Sequence, residues 1–158
     1  MRHVGNGNDM DMDRLKLVAL DEDDLAVLSA CLQDAVFKTA DMAFLKAGRT
    51  FTLEANRFVW EDGADTGRKT WERRRAVLAA KRVNAVRSRG IDLAAGDAEH
   101  ALLALRFKPA AEAPSGTLEL VLAGGASVAL DVECIEMQLQ DTGGAWGTEF
   151  KPRHPLGL

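Results

Sequence analysis

The residues best equipped for chemistry are the arginines and lysines crowded between Arg68 and Arg89. Nine basic residues stand there (Arg68, Lys69, Arg73, Arg74, Arg75, Lys81, Arg82, Arg87, Arg89) against one acid, Glu72. The net charge of −4 therefore hides an asymmetry, because the rest of the chain holds eleven basic and twenty-three acidic residues. Guanidinium forks match the oxygens of carboxylates and phosphates. The stretch from Trp71 to Asp92 reads as one long strand, bent at a bulge, with Gly90 ending it. If the bulge keeps them in phase, Arg73, Arg75, Lys81, Arg87 and Arg89 form one outward stripe, the candidate site for an anionic partner.

Other chemistries find little support. His3, His100 and His154 have no cysteine, serine or carboxylate at a catalytic spacing. Cys31 and Cys134, expected on helices, fit no metal-ligand spacing and read as small buried hydrophobes rather than a disulfide. No phosphate-binding, dinucleotide, nucleophile-elbow or zinc-protease motif occurs, so no catalytic, cofactor or metal residue is assigned.

Three readings compete for the basic stretch. In the first, its arginines pair with acids such as Glu54, Glu61, Asp62 or Glu119 in a solvated network, each exposed pair worth about 0.2–1 kcal/mol. The second is a site for an acidic protein or an anionic small ligand. Nucleic acid ranks last: the pI is near 5.4, tyrosine is absent, and no Phe or Trp interleaves the arginines after Trp71. Trp60 and Trp71 flank the charged loop and read as core or rim packing.

These residues must be positioned by the elements around them. The 158 residues suffice for one domain, expected over 14–150 between a Gly-, Asn- and Asp-rich tail (1–13) and a Pro-containing tail (151–158), with Met10 and Met12 open alternatives to Met1 as the natural start. No apolar run reaches the length of a membrane span and no secretory pattern opens the chain, so a cytoplasmic protein is expected. Leu15–Leu20 reads as a first strand, and Asp21 as the cap of a helix over Glu22–Gln33 with Leu25, Leu28 and Leu32 on one face. Val36–Lys46 and Thr50–Trp60 read as strands. In the second, Phe51, Leu53 and Ala55 share a face, but Phe58 and Trp60 are out of phase, which predicts a bulge near Asn56 and Arg57. His100–Lys108 reads as a strand with Leu103, Leu105 and Phe107 inward.

In the next hairpin, a three-residue loop at Gly124-Gly125-Ala126 pairs Leu122 with Val128, Leu120 with Leu130 and Leu118 with Val132. That register sets Glu119 against Asp131, with Arg106 as the cation that relieves them. Val132, Ile135 and Leu139 then follow helical spacing, which predicts a second helix over Glu133–Asp141. The order resembles a pleckstrin-homology-like barrel: α+β, mainly antiparallel, one meandering sheet closed or nearly closed, with an N-terminal and a C-terminal helix. The alternative is an open antiparallel sheet with both helices on one face.

The stretches LQDAV (Leu32–Val36), NRFVWE (Asn56–Glu61), RRRAVL (Arg73–Leu78), VRSRGID (Val86–Asp92), LLALRF (Leu102–Phe107) and ECIEMQLQD (Glu133–Asp141) resemble a family of short bacterial proteins, mainly alphaproteobacterial, that carry a domain of unknown function. The resemblance implies a cytoplasmic bacterial source and no specific activity. The sequence thus points to a soluble, non-enzymatic binding module that engages an anionic partner, most readily a protein. The alternative is an enzyme or accessory subunit acting on a phosphorylated or carboxylated metabolite. Oligomeric state is not legible.

Overall fold

The computed structural model describes the backbone of residues 2–3, 15–62 and 69–142, and the side chains of 15–59 and 72–142. The C-terminal tail, the N-terminal tail apart from the backbone of residues 2–3, the loop 63–68 and the side chains of Trp60 and Trp71 lie outside the described residues. Within them the chain is an antiparallel β protein with one α-helix, and that helix is too short to cross a membrane.

The strands are β1 (Arg2–His3), β2 (Lys16–Ala19), β3 (Val36–Lys38), β4 (Met42–Leu45), β5 (Thr50–Asp62), β6 (Lys69–Ala80), β7 (Val83–Arg89), β8 (Glu99–Pro109), β9 (Gly116–Leu122), β10 (Ser127–Val132) and β11 (Met137–Asp141). They hydrogen-bond in the order β1-β2-β11-β6-β5-β3-β8-β9-β10-β7, with β4 on β5. No ladder joins β1 to β7. The sheet is therefore open and does not close into the expected barrel.

The helix α1 (Glu22–Leu32) starts where the sequence predicts. Asp21 is extended (φ −146°, ψ 179°) and its carboxylate accepts from the Asp24 N–H at 2.8 Å. Leu25, Leu28 and Leu32 are buried, and the Ser29 hydroxyl accepts from the Leu105 N–H at 2.9 Å, which ties the helix to β8. That strand carries a register shift between Leu102 and Ala104. The shift turns Leu103 outward, 45% exposed, so Leu102 and Leu105 face the core instead of the expected Leu103 and Leu105.

Four further expectations are corrected. First, β5 has no bulge at Asn56: it pairs with β6 without interruption from Phe51↔Ala80 to Asp62↔Lys69. Its inward series simply continues Phe51, Leu53, Ala55, Arg57, all buried. The break in apolar phase is a buried arginine. Second, residues 133–141 hold no helix; β11 lies between β2 and β6, with Met137, Leu139 and Asp141 inward. The alternation of these three outweighed the helical spacing because two neighbouring strands were available to satisfy its backbone. Of the alternative reading, the open antiparallel sheet stands and the second helix falls for the same reason.

Third, the basic stretch is two strands. β6 ends at Ala80, Arg82 turns at φ +58°, and β7 restarts beside β10. Ala76, Leu78 and Ala80 are the inward residues of β6, whereas Val77 and Ala79 are only partly buried. Fourth, the β9–β10 loop has three residues, but they are Ala123-Gly124-Gly125, with Leu122 N–H donating to Ala126. Leu120 then pairs with Val128, and Leu118 with Leu130. This is a slip of two from the expected register, so every apolar residue keeps its buried face. Gly124 and Gly125 (φ +83° and +85°) allow that turn, and Glu119 now opposes Ala129.

Where β8 and β9 begin to pair, Gly116 has no room for a side chain. A Cβ there would press on the Lys108 carbonyl oxygen and lie 2.5 Å from Phe107 Cζ. Gly116→Ala is expected to cost about 1–3 kcal/mol, by overpacking against backbone; the midpoint of urea unfolding measures it, and an unchanged midpoint would contradict the close approach.

Candidate functional site

The outward-facing residues of β7, β10, β9 and β8 make a regular grid. In register, Arg89 lies beside Ser127 and Val121; Arg87 beside Ala129, Glu119 and Arg106; Ala85 beside Asp131, Thr117 and Lys108. The middle of this face is small (Thr117, Ser127, Ala129), and four cations (Arg87, Arg89, Arg106, Lys108) stand on its two flanks. The result is a surface depression of about 560 Å³. Two acids sit among them. Asp131 accepts from Arg87 Nη2 at 2.7 Å and from the Thr117 hydroxyl at 3.3 Å, and Glu119 lies opposite Arg106. Arg87 remains 62% exposed despite its partner. Arg89, Arg106 and Lys108 have no ion pair among the described residues. Asp131, whose repulsion from Glu119 was expected to fall to Arg106, is instead neutralised by Arg87.

The other members of the expected stripe lie elsewhere. Arg73 is exposed on β6 with its guanidinium 5.7 Å from the centre of the Phe58 ring, a cation–π contact. Lys81 follows β6 and borders a shallow hollow with Val18, Leu20 and Glu136. Arg75 lies in a cleft of about 330 Å³ at the point where β3 wedges between β5 and β8. Its Nε meets Glu54 Oε1 at 2.7 Å, and its terminal nitrogens approach Asp41 and Asn56 at 3.4 Å. The pairing with Glu54 is the cross-strand network expected from composition. It neutralises Arg75, since the Glu54 side chain is only 3% exposed. No ladder joins β6 to β7, so the five cations do not share one stripe.

Residues that sequence reasoning passed over hold the β6–β7 turn. Arg49 donates to Glu133 Oε1 and to Asn84, while Arg82 meets Glu136 at 3.1 Å and Glu133 at 3.5 Å. The Arg49 hydrogen bond holds the Glu133 carboxyl below its usual range, and the Glu136 bond raises Arg82. A sequence-level signal for Arg106 and Lys108 existed in the alternation of β8. Their neighbours across the sheet could not be read without the register.

The histidine and the thiols have structural surroundings. His100 Nε2 is 2.7 Å from the Thr39 hydroxyl, its ring leans on Phe37, and desolvation lowers its pKa. Cys31 and Cys134 are free and only partly buried, and Cys134 lies between β10 and β11 rather than on a helix. Burial pushes the Cys31 thiol up, against the opposing charge of Arg57, which makes it a poor nucleophile. No three His, Cys, Asp or Glu side chains among the described residues converge to hold a metal.

The model of the family described as "Protein of unknown function (DUF2948)" matches residues 15–154. No curated protein and no solved structure matches the chain.

Two outcomes follow from these contacts. Arg75→Ala strands the buried Glu54 carboxylate and is expected to cost about 1.5–3 kcal/mol, whereas Arg73→Ala should cost less than about 1 kcal/mol; equal urea midpoints for the two variants would contradict the division. His100, with its folded pKa below the unfolded one, contributes stability that is complete above pH ~6.5 and is lost as pH falls through that value toward the folded pKa. The stability difference between wild type and His100→Gln should therefore shrink on acidification below that pH, and a difference that grew would contradict the desolvated environment.

Proposed function

We propose that this chain, which belongs to the DUF2948 family of proteins of unknown function, is a binding module whose β7–β10–β9–β8 face engages an acidic segment of a protein partner. One observation carries this reading. Arg89 and Lys108 line a depression of about 560 Å³ floored by Thr117, Ser127 and Ala129, and they and the nearby Arg106 have no ion pair among the described residues. Four cations against two acids leave the face basic on a chain whose net charge is negative. Such a field speeds encounter with an acidic partner and disfavours a basic one.

A protein fits this face better than nucleic acid because no aromatic ring stands on it for a base to stack against. A metabolite-binding enzyme would need convergent acid and base groups. The sole carboxylate lining the depression is Glu119, which Arg106 faces across the ladder. Arg87 and Arg89 thus form the core of the proposed site, and Arg73, Arg75 and Lys81 lie outside it. Two free thiols favour a reducing, cytoplasmic setting.

The doubly reversed variant Arg87→Glu/Arg89→Glu should lower the unfolding midpoint only slightly, because both side chains are exposed and the one ion pair lost, Arg87–Asp131, is worth about 0.2–1 kcal/mol. It should lose the proteins that wild type and Arg73→Glu recover from lysate, and wild-type recovery should fall as salt is raised. Recovery of the same proteins by the doubly reversed variant, or recovery insensitive to salt, would overturn the assignment.

A further inference from the structure

We infer that the acidic partner, where it reaches the Arg87–Arg89 flank of that face, adds a strand to the open edge of β7; this deepens the reading above and rests on it. Among the described residues β7 is the last strand of the sheet, and only β10 pairs with it. Its first residue is occupied, since the Val83 N–H donates to the Arg49 carbonyl. Beyond Val83, no backbone hydrogen bond runs from β7 to any described residue except across the β10 ladder. From Ala85 to Arg89 the strand therefore presents backbone donors and acceptors along its outer edge, the template that an extended peptide uses in β-augmentation.

The side chains say which peptide. Arg87 and Arg89 are two residues apart and so project from the same face of β7, about 7 Å apart. Side chains at alternate positions of an added strand would stand beside them with that same spacing. Acids at those positions would find charge-assisted partners directly across the ladder. The intervening positions would lie beside Val86, which packs against the core, and Ser88, which pairs with the buried Val128, and so favour small or apolar residues. The occupant is therefore an extended segment alternating acidic with small apolar residues. A second copy of this chain fits poorly: antiparallel registers centred on Arg87 or Ser88 set arginine against arginine.

The probe is a synthetic peptide of alternating glutamate and valine, with a copy N-methylated at alternate backbone nitrogens so that the charge pattern stays and the ladder bonds go. Amide hydrogen exchange of the full chain reads the edge. At about 90% saturation, those amides of Ala85–Arg89 that exchange fast in the free protein should slow about tenfold, because exchange then proceeds through the unbound tenth. The N-methylated peptide should give no slowing. Binding that is lost in Arg87→Glu/Arg89→Glu but leaves the β7 amides unchanged would overturn strand addition while sparing the acidic-partner reading. No binding of the glutamate–valine peptide would also overturn strand addition and leave the edge arginines as guards against aggregation; the partner reading would then stand or fall by recovery from lysate.

Discussion

The structure depends on one buried ion pair. Arg57, 6% exposed on β5, donates through Nε and Nη2 to the two oxygens of Asp141 at 2.7 and 2.6 Å, and Asp141 on β11 is fully buried. The same carboxylate accepts from the Leu15 N–H at 3.0 Å, and Asp141 N–H returns a bond to the Leu15 carbonyl. Two charges taken out of water are tolerated only with bidentate geometry and filled lone pairs, and both conditions hold. The pair crosses over β6, which lies between β5 and β11, and reaches the lead-in to β2, so one interaction fixes four segments. It also terminates the apolar core, since the inward series of β5 passes from Ala55 to Arg57 at that level.

This constraint sorts the chain's arginines by strand face. Arg57 and Arg74 are directly opposed in the ladder and share the inward face, with Asp141 and Glu72 as their acids. Arg75, one residue on, faces outward and is neutralised by Glu54 and Asp41. Arg49 and Arg82 are committed to Glu133 and Glu136. After these structural commitments, the face of β7, β10, β9 and β8 keeps three cations, Arg89, Arg106 and Lys108, without an ion pair among the described residues. A basic stretch that looks uniform in sequence thus separates into a structural half on β6 and an exposed half on β7.

Much of the framework was legible. The Asp21 cap, the α1 face, the strands flanking Gly124-Gly125 and the buried set of that hairpin all follow local rules that tertiary contacts did not override. Two of the failures share a cause. Apolar periodicity assumes that inward positions are apolar, and Arg57 and Asp141 break that rule together. Arg57 made β5 look bulged, and a polar Asp141 left the alternation of Met137 and Leu139 too short to outweigh the helical spacing of Val132, Ile135 and Leu139. Neither residue alone signals a pair eighty-four positions away. The site suffered from the same limit: Arg87 and Arg89 stood out by local charge density, whereas Arg106 and Lys108 join them only through the register of β8, β9 and β10.

The most direct test is a double-mutant cycle on Arg57 and Asp141, read by urea unfolding. If the buried pair organises the sheet, Arg57→Leu and Asp141→Leu each cost about 3–5 kcal/mol, because each strands a buried charge. The double variant should then be no less stable than either single one, which gives a coupling of at least about 3 kcal/mol. Losses that simply add would show that the two side chains act independently and would contradict the central place given to their contact.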